Sequence, residues 1–170
     1  MSEAAVKTKA NVPMAGDPAP WFYQRTSANP RFAFSSSAGR YIALCFCGST
    51  DEPQSRVAIS AALTRTDLFD DNMASFFTIS NDPGDESAGR LANRTPGFRV
   101  FWDFDLTIAK LYGAVPTDAD PVSGALSVSR FWLVLDPTLR VIAKIPFQAD
   151  RSDLTRFFAL MESLPAPERF

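Results

Sequence analysis

The sequence predicts an α/β sandwich, with a central mixed β-sheet and helices on both of its faces. Two observations predict this class. Short, continuous apolar runs typical of buried strands alternate with segments in which apolar residues recur at helical spacing. A late pair of apolar runs is joined by a tight turn, as in a β-hairpin. The 170 residues, 46% hydrophobic and 21% charged, suffice for the core of one domain.

The first half of the chain predicts two buried parallel strands separated by a helix. Arg40 to Cys47 is apolar on both alternating faces, as in a central strand covered on both sides. Pro53 can begin a helix, because its missing N–H costs nothing in a first turn. Ala74 to Ser80 is the second buried strand. A turn is predicted at Asn81 to Asp85, with a short helix near Glu86 to Leu91.

The second half predicts one more strand, a hairpin and two helices. Phe98 to Trp102 is a strand, and Asp105 to Tyr112 is a short helix capped by its first residue. Phe131 to Leu135 and Arg140 to Phe147 form the hairpin, and Ser152 to Leu164 carries a helical apolar stripe. The strand–helix–strand beginning favours parallel strands, and the hairpin adds antiparallel ones. This order predicts a thioredoxin-like three-layer sandwich.

The chain divides into three parts. The sequence predicts a flexible, polar lead over residues 1–15, one folded domain over residues 16–164, and a tail or linker over residues 165–170. The longest apolar run, Tyr41 to Cys47, is far too short to span a bilayer, and no signal or transit peptide is recognisable. Because lysine and arginine are nowhere concentrated, we expect no nucleic-acid partner. We expect a cytoplasmic location, reduced thiols and no membrane association.

The composition excludes several kinds of chemistry. The chain has no histidine and only two cysteines. Zinc sites with histidine ligands, two-histidine-one-carboxylate iron sites and histidine-based catalytic triads are therefore ruled out. A framework of several disulfides is excluded as well. We expect no metal and no cofactor, and the chemistry left to the chain is that of a cysteine, of carboxylates and arginines, or none.

Three local sequences, in the same order, resemble one protein family. Gly16 to Phe22 (GDPAPWF) is similar to the N-terminal segment G-D-x-A-P-x-F of the peroxiredoxins of the alkyl hydroperoxide reductase and thiol-specific antioxidant type. Tyr41 to Gly48 resembles the strand that leads into their active-site loop. Arg130, followed by Phe131 to Asp136, is similar to the arginine that starts their late core strand. The resemblance implies a thioredoxin fold, peroxide reduction and a homodimer.

The chain departs from this family where the family has its peroxidatic cysteine. In the family, the strand is followed by a proline and then by a loop that ends in P-x-x-x-T-x-x-C. Aligning the strands places Gly48 at the first proline, Glu52 near the threonine and Ser55 at the cysteine. Peroxide reduction needs a thiolate, whereas serine stays protonated near neutral pH and has no histidine here to activate it. We therefore expect a degenerate site that has lost peroxidase activity.

A domain of this kind would serve in binding, in dimerisation or as an accessory domain. Similar peroxiredoxin-like domains in some bacterial proteins precede an iron- and 2-oxoglutarate-dependent oxygenase domain. The proline-rich ending of this chain resembles the start of the linker between two such domains. The resemblance thus implies an accessory role beside an oxygenase as one form of this function.

Arg130 has two interpretations. Beside the helix that begins near Ser55, its guanidinium, the serine hydroxyl and the first helical N–H groups would bind a small anion or a peroxide-like ligand. Alternatively, Arg130 pairs with a carboxylate, Glu52 or Asp51, and holds the loop in place, because buried arginines are usually paired.

The two cysteines lie two residues apart on the predicted central strand, so both point to the same face. This geometry disfavours a disulfide between them, and Cys45 and Cys47 are interpreted as small buried hydrophobic side chains. Cys47 has an alternative interpretation, because ligand sites in open α/β sheets collect at the carboxyl ends of strands. It would then be the nucleophile of a thiol-dependent antioxidant oxidoreductase that reduces peroxides.

Overall fold

A five-stranded mixed sheet forms the middle layer of the structure, a computed structural model that describes residues 12–70, 72–92, 95–121 and 127–167. The strands are β1 (Tyr23–Gln24), β2 (Phe32–Ala33), β3 (Tyr41–Gly48), β4 (Ala74–Ser80), β5 (Phe98–Trp102), β6 (Phe131–Leu135) and β7 (Val141–Pro146). The helices are α1 (Pro53–Leu63), α2 (Pro83–Ser87), α3 (Thr107–Leu111) and α4 (Ser152–Ser163), and Phe34–Ser37 forms a 3-10 turn.

The order of strands in the main sheet is β5-β4-β3-β6-β7. β3 is parallel to β4 and β4 to β5, whereas β6 is antiparallel to both β3 and β7. β1 and β2 pair separately in a short antiparallel ribbon. The predicted mixed sheet is confirmed, since the β6–β7 hairpin adds antiparallel strands to a parallel beginning. β3 is the central strand, as its apolar faces predict.

The side chains of β3 alternate between two hydrophobic layers. Ile42, Leu44 and Phe46 face the layer that holds α3 and the N-terminal segment. The cysteines face the opposite layer, which holds α1 and α4. In the second layer the fully buried Trp132 stacks on Phe157 of α4, with ring centroids 3.9 Å apart. Helices therefore cover both faces of the sheet, which confirms the predicted thioredoxin-like three-layer sandwich.

Two short helices differ from the sequence prediction in their bounds, and α2 ends at Ser87 rather than near Leu91. α2 begins at Pro83, inside the segment predicted as a turn, because the Asp82 carboxylate accepts a 2.9 Å hydrogen bond from Gly84 N. α3 begins at Thr107, two residues later than predicted. The Asp103 carboxylate accepts hydrogen bonds of 2.8 Å from the N–H groups of residues 108 and 109, and Asp105 accepts one from Thr107 N. Both aspartates therefore cap this helix.

The described parts of the predicted lead and of the predicted tail both contact the domain. Residues 1–11 of the predicted lead and 168–170 of the predicted tail lie outside the described residues. Val12 packs so closely on Gly113 that a Cβ there would lie 2.7 Å from its Cγ2 atom. After α4, the Tyr41 hydroxyl donates a 2.7 Å hydrogen bond to the Pro165 carbonyl. In the described part of the chain, no helix has the length and apolar character needed to cross a membrane.

Candidate functional site

The candidate site lies where β3 ends and α1 begins. Gly48, the last residue of β3, has a φ of +69°, a conformation that favours glycine. The chain then turns back, and Ser49 N donates a 2.7 Å hydrogen bond to the carbonyl oxygen of Cys47. Glu52 is extended and precedes Pro53, which supplies the first helical position without an orphaned N–H. This turn brings the end of the central strand and the first turn of a helix together.

Ser55 lies in the first turn of α1 and is fully buried. Its hydroxyl donates a 2.7 Å hydrogen bond to the carbonyl oxygen of Cys47. The hydroxyl proton is therefore engaged with the backbone of β3. Ser55, which the sequence resemblance aligns with a peroxidatic cysteine, thus joins α1 to β3 in this structure.

Arg130 stands immediately before β6 and is partly exposed. Its Nη1 atom lies 3.5 Å from the Glu52 carboxylate, and its Nη2 atom lies 3.5 Å from the Gln54 side-chain oxygen. The structure thus brings Arg130 and Glu52 together, at the long end of ion-pair contact. Among the described contacts, no hydrogen bond joins Arg130 to Ser55.

A surface cavity of about 180 Å³ lies over this junction. It is lined by Gly48, Ser49, Glu52, Asn81, Asp82, Val128 and Arg130. Neither Ser55 nor a cysteine belongs to this lining. The cavity therefore presents two carboxylates, one guanidinium and a side-chain amide, which suits hydrogen bonding to a small polar molecule rather than thiol chemistry.

Both cysteines are free and fully buried. The Cys47 thiol donates to the carbonyl oxygen of Ile79, with 3.3 Å between sulfur and oxygen. Burial raises the pKa of the Cys47 thiol to about 12. Burial also raises the pKa of Cys45 well above its ordinary value, and the neighbouring Cys47 raises it further. Near neutral pH, both side chains are therefore protonated thiols, which are poor nucleophiles.

A buried carboxylate that the sequence analysis did not single out fixes the loop between β3 and α1. Asp85 of α2 is fully buried and accepts hydrogen bonds from the Thr50 backbone N–H (3.1 Å), the Thr50 hydroxyl and the Ser80 hydroxyl (2.7 Å). Arg90 also contacts this carboxylate, with 2.9 Å between its Nε atom and Oδ1 of Asp85. Thr50 and Asp85 are separated by 35 positions, so no local pattern links them.

A second aspartate, the N-cap residue of α2, lies nearer the surface. Asp82 accepts a 2.6 Å hydrogen bond from the Ser49 hydroxyl and a 3.0 Å contact from Arg90 Nη2. The hydrogen bond from Ser49 and the charge of Arg90 hold the pKa of Asp82 below its usual value, although burial opposes them. Within the described residues, no three cysteine or carboxylate side chains are grouped closely enough to hold a metal ion.

Comparison with known proteins finds solved structures of similar fold. No protein-family model and no curated protein match the sequence. Peroxidoxin BcpB from Mycobacterium tuberculosis is similar over 91% of this chain and 99% of its own, with a TM-score of 0.69 and 17% identity. Yeast mitochondrial 1-Cys peroxiredoxin is similar over 88% of this chain and 76% of its own, with a TM-score of 0.70 and 17% identity.

A third solved structure widens the comparison. The Xanthomonas campestris bacterioferritin comigratory protein, which has alkyl peroxide reduction activity, is similar over 84% of this chain and 90% of its own. Its TM-score is 0.67 and its identity 15%. At these identities the likeness concerns the fold alone.

Proposed function

We propose that this peroxiredoxin-like domain of thioredoxin fold has lost thiol peroxidase activity and acts as a binding, dimerisation or accessory domain. One observation carries the proposal. The buried side chain in the first turn of α1 that faces the end of β3 is the hydroxyl of Ser55, which donates to the Cys47 carbonyl. A peroxidase of this fold would need a thiolate at that position.

The chemistry of the hydroxyl supports the loss of activity. In peroxide reduction, a thiolate sulfur attacks the O–O bond, is oxidised to a sulfenic acid and releases water or an alcohol. A serine oxygen would first have to lose its proton, and the chain has no histidine to accept it. In addition, Ser55 does not line the cavity through which a peroxide would approach.

A second candidate function is peroxide reduction by Cys47. It is favoured by position, because Cys47 is the second-last residue of β3 and directly precedes Gly48, which lines the cavity. The buried thiol and its raised pKa oppose this candidate, because the thiolate form would be rare near neutral pH. Turnover by Cys47 would therefore require the loop after β3 to open.

Binding at the cavity of Glu52 and Arg130 is the form of the proposed function that the lining supports best. Its guanidinium and amide would donate to a small anion or a peroxide-like ligand.

A homodimer is proposed as well, because Trp21 and Tyr23 are 70% and 56% exposed, and exposed aromatic side chains are enriched at protein interfaces. The molecular mass in solution, measured by sedimentation, tests the dimer, and a monomer at all concentrations would exclude it.

The decisive experiment measures peroxide consumption with a thiol reductant. The natural chain, Cys47→Ser and Cys45→Ser are compared, and we expect the background rate from all three. Turnover that is abolished by Cys47→Ser but kept in Cys45→Ser would reverse the proposal and establish the second candidate.

Thermal stabilisation by a small anion, lost in Arg130→Met, would support binding at the cavity of Glu52 and Arg130.

A further inference from the structure

A second cavity, of about 320 Å³, lies between α1 and the chain that follows α2. Its apolar part is formed by Ile59, Leu63, Leu91 and Phe98. Its polar lining consists of Thr50, Ser60, Arg56 and Arg90, and Ala92 completes it. The cavity therefore combines an apolar surface with two guanidinium groups.

Charge separates this cavity from two other cavities of the described residues. None of its nine lining residues is acidic. The cavity over the candidate site contains Glu52 and Asp82, and the cavity beside β5 contains Asp85 and Glu86. A negatively charged ligand would therefore meet no carboxylate in the lining of this cavity.

The two arginines of this cavity differ in how far their charge is matched. Arg90 contacts the carboxylates of Asp85 and Asp82 at 2.9 and 3.0 Å. Arg56 forms no ion pair within the described residues, and its Nη1 atom donates to the backbone carbonyls of Thr50 and Asp51 at 3.0 and 3.1 Å. Those bonds fix the guanidinium and use one of its three nitrogens. The positive charge of Arg56 thus has no acidic partner among the described contacts.

We propose that this cavity binds a small amphipathic carboxylate. The carboxylate group would accept hydrogen bonds from the Arg56 guanidinium, a pairing that is frequently bidentate. The apolar part of the ligand would lie on Ile59, Leu63, Leu91 and Phe98. The site uses neither Ser55 nor either cysteine, so it is independent of the proposed loss of peroxidase activity.

Titration of the full chain with octanoate tests the site, with heat or amide chemical shifts as the readout. We expect saturable binding at one site. Arg56→Gln should weaken it by about tenfold or more, because a hydrogen-bonded charge pair is lost. Arg56 is exposed, so this variant keeps the core intact. Arg156→Gln is the matched control, because it removes the same charge from an exposed position of α4 and should leave the affinity unchanged.

Two further arms separate charge from apolar contact. Octan-1-ol, which has the same chain without the charge, should bind at least about tenfold more weakly than octanoate. Ser60→Glu should abolish octanoate binding, because it places a carboxylate in the lining at an exposed helical position. The proposal is overturned if octanoate does not saturate the natural chain, if the alcohol binds equally well, or if the Arg56 and Arg156 variants behave alike.

Discussion

The hydroxyl of Ser55 and the carbonyl oxygen of Cys47 are joined by a 2.7 Å hydrogen bond between two fully buried residues. This bond connects the first turn of α1 to the last residues of the central strand. The residue that the sequence resemblance aligns with the peroxidatic cysteine is therefore a hydrogen-bond donor that stabilises the fold.

Ser55→Ala should lower the free energy of unfolding by about 1 kcal/mol, because a buried hydrogen bond is removed. Urea denaturation of the natural chain and the variant measures the change. Ser60→Ala, at an exposed position of the same helix, is the control and should have little effect. Equal stability of the natural chain and Ser55→Ala would contradict a structural role for the hydroxyl.

The buried thiols should react with an aromatic disulfide reagent only when the protein opens. Burial raises the pKa of Cys47 to about 12, so its thiolate is a minor species near neutral pH. We expect slow labelling of the folded chain and rapid labelling of both thiols in urea. One thiol that reacts as fast in the folded chain as in urea would show that it is accessible.

Asp85→Asn should destabilise the chain by about 2–3 kcal/mol, because the buried carboxylate bonds Arg90 and Thr50 together. Asp82→Asn is the matched control at the same end of α2. It should cost less, because Asp82 is partly exposed. Equal losses in the two variants, measured by urea denaturation, would remove the special role assigned to the buried carboxylate.

The contribution of Asp153 to stability should depend on pH. Burial tends to raise its pKa, but Arg151, the Gln148 N–H and the Trp132 indole N–H outweigh burial and hold the pKa below its ordinary value of 3.8. A carboxyl whose pKa is lower in the folded state stabilises the fold above its unfolded pKa. That contribution is lost as the pH falls through the folded pKa.

The stability difference between the natural chain and Asp153→Asn measures this contribution. It should be largest near neutral pH and should shrink as the pH falls below about 4. Urea denaturation at several pH values provides the comparison. Asp67→Asn, at an exposed position, is the control for general charge effects. A difference that stays constant down to the acid transition would contradict the assigned ion pair and hydrogen bonds.

Arg130→Met should change stability by less than about 1 kcal/mol, because its contacts to Glu52 and Gln54 are long and partly exposed. A double-mutant cycle with Glu52→Gln isolates the pair, and we expect a coupling energy of less than about 1 kcal/mol. A much larger coupling would mean that the pair is desolvated in solution and holds the loop firmly.

The bounds of the main strands could be predicted from sequence alone. β4, β5 and β6 begin and end at the predicted residues, because each is an apolar run with turn-forming or polar residues near its ends. β1 has two residues, too few to show an alternating pattern, whereas β2 lies within the short aromatic segment Arg31 to Phe34, which the sequence predicts as a strand. The start of α2 was missed because the sequence Asn-Asp-Pro-Gly-Asp also suits a turn.

The side-chain contacts of the candidate site are harder to predict from sequence than the bounds of the strands. The proximity of Arg130 and Glu52 agrees with the pairing expected from the family resemblance, which places both residues near one site. The hydrogen bonds from Thr50 to Asp85 could not be predicted, since they join a loop to α2 over 35 positions of the chain through side chains of common surface types. The same holds for the cavity beside Arg56, whose walls come from α1, the chain after α2 and β5.

The three tryptophans give the protein separate spectroscopic reporters. Trp132, stacked on Phe157 in the core, and Trp102, which is 5% exposed, should emit at short wavelength, whereas Trp21 should emit like indole in water. Iodide should quench Trp21 selectively in the folded chain. Fluorescence can therefore follow the opening of the core and the covering of the N-terminal surface by a partner in one sample, without any added label.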